Sequence, residues 1–227
     1  MERNFGIHVV LIACLMFGAT YPEGSAVSNS YKKGIEEARQ KQYSAAVEMF
    51  SQVIRKNPRF SQAYYNRGLM HYQQGQMADA VRDFSKALEL DPKYFQAWFN
   101  RGTVYLETGV FDLAIADFTQ AIELRPNIPD AYLNRAKAYK ECGRLDDALA
   151  DYNKLIQVKP DFAPAFYSRG MVHFIKGDVD SAIQSYNRAI ALESTYTRAY
   201  QERAIAYQKK GDSQKAFADL MNAAVAR

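Results

Sequence analysis

The chain has 227 residues, of which 48% are apolar, 24% charged and 13% aromatic, and its formal net charge at pH 7 is +4. This length and composition allow a buried core in one domain or one array, and they exclude a collagen, a coiled-coil rod, a disordered tail and a disulfide-stapled miniprotein. The 29 basic and 25 acidic residues nearly balance, so the concentrated basic patch typical of nucleic-acid binding is not expected.

The first predicted element is an apolar run over residues 5–19. Small residues follow it at Gly24 and Ala26, in an arrangement typical of a secretory signal peptide that is cleaved after Ala26. As a helix the run would span about 22 Å, less than the ~30 Å hydrocarbon core of a bilayer. Residues 1–26 are therefore predicted to be a signal peptide, or another export or anchor segment, outside the fold.

Two other interpretations of this segment stay open. Residues 11–14 resemble a bacterial lipobox, which would be lipidated at Cys14, although apolar residues continue beyond the cysteine where a lipoprotein usually becomes polar. The run over residues 5–19 is alternatively an uncleaved membrane tether. All three predict an exported protein that is secreted, periplasmic or membrane-anchored outside the cytoplasm. A cytoplasmic protein without export is the remaining alternative.

A period of 34 residues runs through the rest of the chain in three residue types. The prolines are Pro58, Pro92, Pro126 and Pro160, the glycines are Gly75, Gly109, Gly143, Gly177 and Gly211, and the alanines are Ala46, Ala80, Ala114, Ala148, Ala182 and Ala216. The period predicts six repeats over residues 27–227, near 27–60, 61–94, 95–128, 129–162, 163–196 and 197–227.

Each repeat is predicted to form two helices, as the third repeat illustrates. Residues 96–108 and 111–124 carry apolar residues at spacings of three and four, which gives each helix an apolar face. Gly109 supplies the left-handed backbone that suits a helix end, and Pro126 cannot continue a helix. One such pair cannot bury its apolar face alone, so neighbouring pairs are expected to stack.

Residue types at fixed positions of each repeat resemble the tetratricopeptide repeat family. The fourth position is aromatic in five repeats, the eighth is Gly or Ala and the twentieth is always Ala. In the first repeat, Ser30 replaces the aromatic and Lys41 replaces the turn glycine. The resemblance implies an all-α fold, an α-solenoid of six antiparallel helix pairs wound as a right-handed superhelix.

Charged residues at the seventh and twenty-third positions recur here but depart from the family pattern. Arginine on one helix and aspartate on its antiparallel partner predict structural ion pairs, with a ligand-binding row of arginines as the alternative. The predicted pairs are Arg67 with Asp83, Arg101 with Asp117, Arg135 with Asp151, and Arg203 with Asp219. In the fifth repeat Ser185 takes the place of the aspartate opposite Arg169.

The resemblance also implies that the first helices of the pairs line a concave groove, which binds a peptide segment or a partner protein. Aromatic rings would anchor the partner while side-chain amides bond its backbone, although the amides alternatively tie neighbouring repeats together. The residues predicted to bind a partner are Tyr65, Asn66, Tyr72, Phe99, Asn100, Leu133, Asn134, Tyr167 and Phe174. The fifth position is never Lys, so the carboxylate clamp of chaperone-binding family members is not expected.

No sequence motif for catalysis or for a cofactor or metal site is present: there is no HExxH, phosphate loop, nucleophile elbow or paired-cysteine spacing. His71 and His173 share the eleventh position of their repeats and are interpreted as packing variants. The predicted function is therefore a non-catalytic protein–protein interaction scaffold, with no cofactor, no metal and no nucleic-acid partner.

An alternative function is a structural or assembly subunit of a membrane-associated or self-associating complex, similar to a lipoprotein. The last predicted helix carries an apolar set that would be covered by the preceding helix or left open as an oligomerisation edge. Its members are Phe217, Leu220, Met221 and Val225.

Overall fold

The computed structural model describes residues 26–225, which form twelve α-helices and no strand. They are α1 (Ala26–Arg39), α2 (Tyr43–Lys56), α3 (Ser61–Gln73), α4 (Met77–Leu90), α5 (Phe95–Glu107), α6 (Phe111–Leu124), α7 (Pro129–Glu141), α8 (Leu145–Val158), α9 (Ala163–Ile175), α10 (Val179–Leu192), α11 (Thr197–Lys209) and α12 (Ser213–Val225). The predicted all-α fold of six helix pairs is confirmed. Apart from Ala26, the predicted export segment and Cys14 lie outside the described residues.

The chain divides into two compact units, Met1–Pro126 and Asn127–Arg227. In the first unit α1 packs on α2, α3 on α4 and α5 on α6, and each pair contacts the next. In the second unit α7 packs on α8, α9 on α10 and α11 on α12, again with contacts between successive pairs. None of the described helices combines the length and apolar character needed to cross a bilayer.

The turn between the two helices of a pair contains one residue with left-handed backbone. Five of the six turns use the periodic glycines, whose φ angles lie between 75° and 84°. The first turn uses Lys41, with a φ of 60°. A side chain in this region costs roughly 1–2 kcal/mol, so the first turn holds backbone strain that the other five avoid.

Small residues at the eighth and twentieth positions let the two helices of a pair approach closely. In the fifth repeat, a Cβ added to Gly170 would lie 2.6 Å from Cε1 of Tyr186 on the facing helix. The periodic alanines at the twentieth position are at most 2% exposed. Four aromatic rings at the twenty-fourth position lie against the glycine of the facing helix in the same pair. All rings at this position are buried, and they are Phe50, Phe84, Phe118, Tyr152 and Tyr186.

Candidate functional site

The four predicted arginine–aspartate pairs form between the two helices of their repeats. In each, Nε and Nη2 of the arginine donate to the two carboxylate oxygens of the aspartate, with distances of 2.5–2.8 Å. The aspartate side chains are 4–7% exposed and the arginine side chains 16–22%. This two-bond geometry in a largely buried place fits the structural interpretation of the charges rather than a free row of arginines.

The arginines also contact the repeat before their own. Nη1 of Arg67 donates to Ser51 at 3.0 Å, and Nη1 of Arg101 donates to Ser85 at 2.8 Å. In the second unit Arg203 donates in the same way to Asn187. Each of these guanidinium groups therefore joins three helices. Burial raises the pKa of the Asp117 carboxyl, even though Arg101 donates to both of its oxygens.

The fifth repeat lacks the carboxylate, and its arginine is correspondingly less well satisfied. Nε of Arg169 donates to the Ser185 hydroxyl at 3.2 Å and Nη1 donates to Asn153 at 3.0 Å. Burial lowers the pKa of Arg169, whereas the pKa of Arg101 in the third repeat is raised by its carboxylate partner in spite of burial. The fifth repeat thus has no charge pair at the position where the third repeat has one.

The prediction that Tyr65, Phe99 and the neighbouring asparagines face a partner is wrong. Tyr65 is 0% and Phe99 2% exposed, and Asn66 and Asn100 are 1% and 4% exposed. The Asn100 amide donates to the Tyr65 hydroxyl at 2.7 Å, and the Asn66 amide donates in the same way to a tyrosine of the first repeat at 2.8 Å. These amides tie neighbouring repeats together, which was the alternative interpretation of them.

The ring of Tyr65 is buried because the residue before the next repeat covers it. Its ring centroid lies 4.8 Å from that of Tyr94 and 5.7 Å from that of Phe84. The sequence signal that this packing leaves is a tyrosine followed 35 residues later by an asparagine, in Tyr31 and Asn66 and again in Tyr65 and Asn100.

The other residues predicted to bind a partner keep part of their surface open. Tyr72, Leu133, Asn134, Tyr167 and Phe174 are all intermediate in exposure. The Tyr72 hydroxyl donates to the Glu107 carboxylate at 2.6 Å. The Tyr167 ring packs on Tyr186 and Tyr196, with centroid distances of 6.1 and 5.1 Å, so part of this ring also belongs to the core.

A shallow depression lies on the first unit, between α3 and α5. We call it the α3–α5 depression, and its lining residues are Leu69, Tyr72, Phe84, Asn100 and Thr103. Leu69 and Thr103, at the ninth position of their repeats, were not among the residues predicted to bind. Since the ninth and twelfth positions lie one helical turn apart on the same helix face, the spacing of Leu69 and Tyr72 was the available signal.

The two histidines of the described residues both lie near polar side chains. Nδ1 of His71 lies 2.5 Å from the Gln76 side chain, and Nδ1 of His173 lies 3.4 Å from Asp178. Burial lowers the pKa of His173. Within residues 26–225, no group of three or more His, Cys, Asp and Glu side chains is arranged to hold a metal ion.

Sequence profiles of known families match most of the chain. Profiles described as tetratricopeptide repeats match residues 31–95, 74–129 and 118–150, and one described as a TPR repeat matches residues 137–175 and 170–211. The chain belongs to the tetratricopeptide repeat family. Among curated proteins, none matches this tetratricopeptide chain significantly.

Solved tetratricopeptide structures share the fold. A crystal structure of MamA is 25% identical, covers 70% of this chain and 93% of its own, and superposes with a TM-score of 0.68. A tetratricopeptide repeat protein from Parabacteroides merdae is 22% identical over 86% of this chain and 78% of its own, with a TM-score of 0.76. YrrB, described as having an unusual peptide-binding site, is 20% identical over 80% of this chain and 93% of its own, with a TM-score of 0.68.

Proposed function

We propose that this protein is a non-catalytic scaffold that holds a peptide segment of a partner protein on the first helices of its repeats. The observation that carries the proposal is the partly exposed rim of the α3–α5 depression, where Tyr72 and Thr103 keep part of their surface open to solvent. Beneath this rim, Leu69 and Phe84 are 2% and 0% exposed and belong to the core. Tyrosine rings that are partly open to solvent are frequent anchors for a bound partner.

The polar rim of the depression suits the backbone of an extended peptide. The Asn100 amide is only 4% exposed and donates to Tyr65, so it packs beneath the depression and does not face the peptide. The Thr103 hydroxyl donates to the carbonyl oxygen of Phe99, so its lone pairs can accept a backbone N–H. Glu107 fixes the Tyr72 ring at the edge of the depression. The peptide-binding description of YrrB, a protein of the same fold, supports this use of the surface.

The corresponding face of the second unit supports the same function. Ile175 and Ile205 are 56% and 45% exposed, and Met171 and Phe174 are partly exposed beside them. Nζ of Lys209 lies 5.0 Å from the centre of the Phe174 ring. Exposed apolar side chains on successive first helices provide contact area for a partner beyond the α3–α5 depression.

Substitutions in the α3–α5 depression are expected to weaken peptide binding without unfolding the protein. The probe is a peptide selected from a random display library on the full chain, with its Kd measured by fluorescence anisotropy. Tyr72→Ala and Thr103→Arg should each raise the Kd at least about tenfold, since each removes or blocks a contact worth roughly 1.4 kcal/mol or more. Leu113→Ala, which is exposed on α6, is the matched control and should bind as the wild type does. Unchanged affinity in both depression variants would place the binding surface elsewhere.

We also propose that the protein acts outside the cytoplasm, on the basis of the apolar run over residues 5–19 and the small residues that follow it. Intact mass spectrometry of the protein purified from its own cells distinguishes the alternatives. A mature chain that begins at Val27 is the expected result, whereas a diacylated chain that begins at Cys14 would indicate lipidation. A chain that retains its first residues and stays in the cytoplasmic fraction would contradict export.

A further inference from the structure

Helix α12 leaves an apolar stripe open to solvent. Phe217, Leu220, Met221 and Val225 are 66%, 45%, 53% and 83% exposed. Their spacing places them on one side of the helix, and we call this set the α12 stripe. We propose that the α12 stripe is a self-association surface, on which α12 of a second copy of this chain packs.

The earlier repeats of the chain show what covers the equivalent helix surface. The twenty-fourth position, which Leu220 occupies in the last repeat, is Phe84 in the second repeat and Tyr186 in the fifth, and both of those rings are 0% exposed. In each case the next helix pair along the chain packs on the second helix of the repeat. The α12 stripe is therefore a surface of the kind that binds a helix, and within residues 26–225 no helix occupies it.

The charges of α12 favour an apolar occupant. Its two charged residues are Lys215 and Asp219. Nζ of Lys215 lies 2.8 Å from Asp212, and Asp219 is buried against Arg203. The outer side of the helix thus presents apolar and small neutral groups with no unpaired charge to select an oppositely charged partner. Apolar, weakly charged patches are typical of protein–protein contacts.

A second copy fits this surface through the same helix rather than through its first repeat. At the first repeat, the sixth, seventh and tenth positions are Lys32, Lys33 and Glu36, and all three are exposed. Packing that end on the α12 stripe would bury three charges against apolar groups, which is costly. Packing α12 on α12 buries apolar side chains against apolar side chains. If the two copies are related by a two-fold axis, the contact is self-complementary and the assembly stops at a dimer.

The area of the stripe sets the strength of the dimer. Four side chains of this size would bury roughly 400 Å² on each copy, about half of the ~800 Å² that each partner contributes to a standard interface. The expected dimer is therefore weak, with a dissociation constant of about 1 µM or higher.

Sedimentation equilibrium of the full chain, between roughly 1 and 500 µM, tests the proposal. The wild type should pass from monomer to dimer over this range, whereas Phe217→Glu and Met221→Glu should stay monomeric with unchanged circular dichroism. The matched control is Leu113→Glu, which places the same charge at a residue of α6 that is 48% exposed and should associate as the wild type does. A wild type that is monomeric at every concentration, or a Phe217→Glu variant that still dimerises, would overturn the proposal.

Crosslinking tests the pairing of the helices directly. In a background of Cys14→Ser and Cys142→Ser, Met221→Cys should form a disulfide-linked dimer on mild oxidation, while Gln120→Cys, exposed on α6, should not. A dimer that forms without crosslinking through residue 221 would contradict the α12 contact. Peptide affinity at the α3–α5 depression should be the same in the Phe217→Glu variant and the wild type, so this proposal and the proposed scaffold function can fail separately.

Discussion

Replacing Asp117 with Asn should lower the free energy of unfolding by about 3–5 kcal/mol, because it leaves a largely buried guanidinium without its countercharge. Arg101 donates two hydrogen bonds of 2.8 Å to Asp117 and stacks 4.9 Å from the centre of the Trp98 ring. Asn has nearly the same shape as Asp, so the loss of unfolding free energy arises from the missing charge and not from a cavity. Urea denaturation followed by circular dichroism measures it.

The fifth repeat provides the matched control for this prediction. Ser185→Asp would place a carboxylate opposite Arg169, at the position where four other repeats already have one, and should raise the melting temperature. Replacing both members of a pair, as in Arg101→Met with Asp117→Leu, should cost less than Asp117→Asn alone, because no buried charge is then left over. If Asp117→Asn melts as the wild type does, the pairs do not stabilise the repeats.

Truncating Phe99 to Ala should also lower the free energy of unfolding by about 3–5 kcal/mol. Its ring is 2% exposed and lies 5.7 Å, between centroids, from Phe118 and 6.1 Å from Phe95. Removing it would leave a cavity that these rings cannot fill. The same urea denaturation measures the loss.

The partly exposed Phe174 on α9 is the control for this substitution, and Phe174→Ala should cost less. The sequence alone had placed Phe99 among the binding residues, and a binding residue could be truncated without loss of stability. If the Phe99→Ala variant were as stable as the wild type, the result would contradict the burial of Phe99 and support its original assignment as a surface binding residue.

The helices and their pairing were predictable because the constraints on them are local. Pro126, Gly109 and the alanines recur at a fixed period, and each acts within one repeat by ending a helix, turning the chain or allowing close approach. The arginine–aspartate pairs were predictable for the same reason, since Arg101 and Asp117 lie on the two helices of one pair. In the third repeat, the only one for which helix bounds were predicted, the predicted and observed bounds differ by at most one residue.

The binding surface was less predictable because it depends on how far one pair covers the next. Tyr65 and Tyr72 both lie on α3, yet one is fully buried and the other is partly open. The difference arises from Tyr94 and Asn100, which belong to the segment after α4 and to α5 and contact the Tyr65 side chain. Helical periodicity within a repeat contains no information about that overlap.

The arginines that reach back to Ser51, Ser85 and Asn187 have a consequence for how the protein loses its structure. When one hairpin opens, its guanidinium must also leave the hairpin before it, so opening one destabilises another. Nearest-neighbour coupling of this kind makes repeat arrays melt in blocks rather than one hairpin at a time. Within each unit the hairpins are therefore expected to unfold together and not one at a time. A protease would then cleave the unit only when several hairpins are open at once.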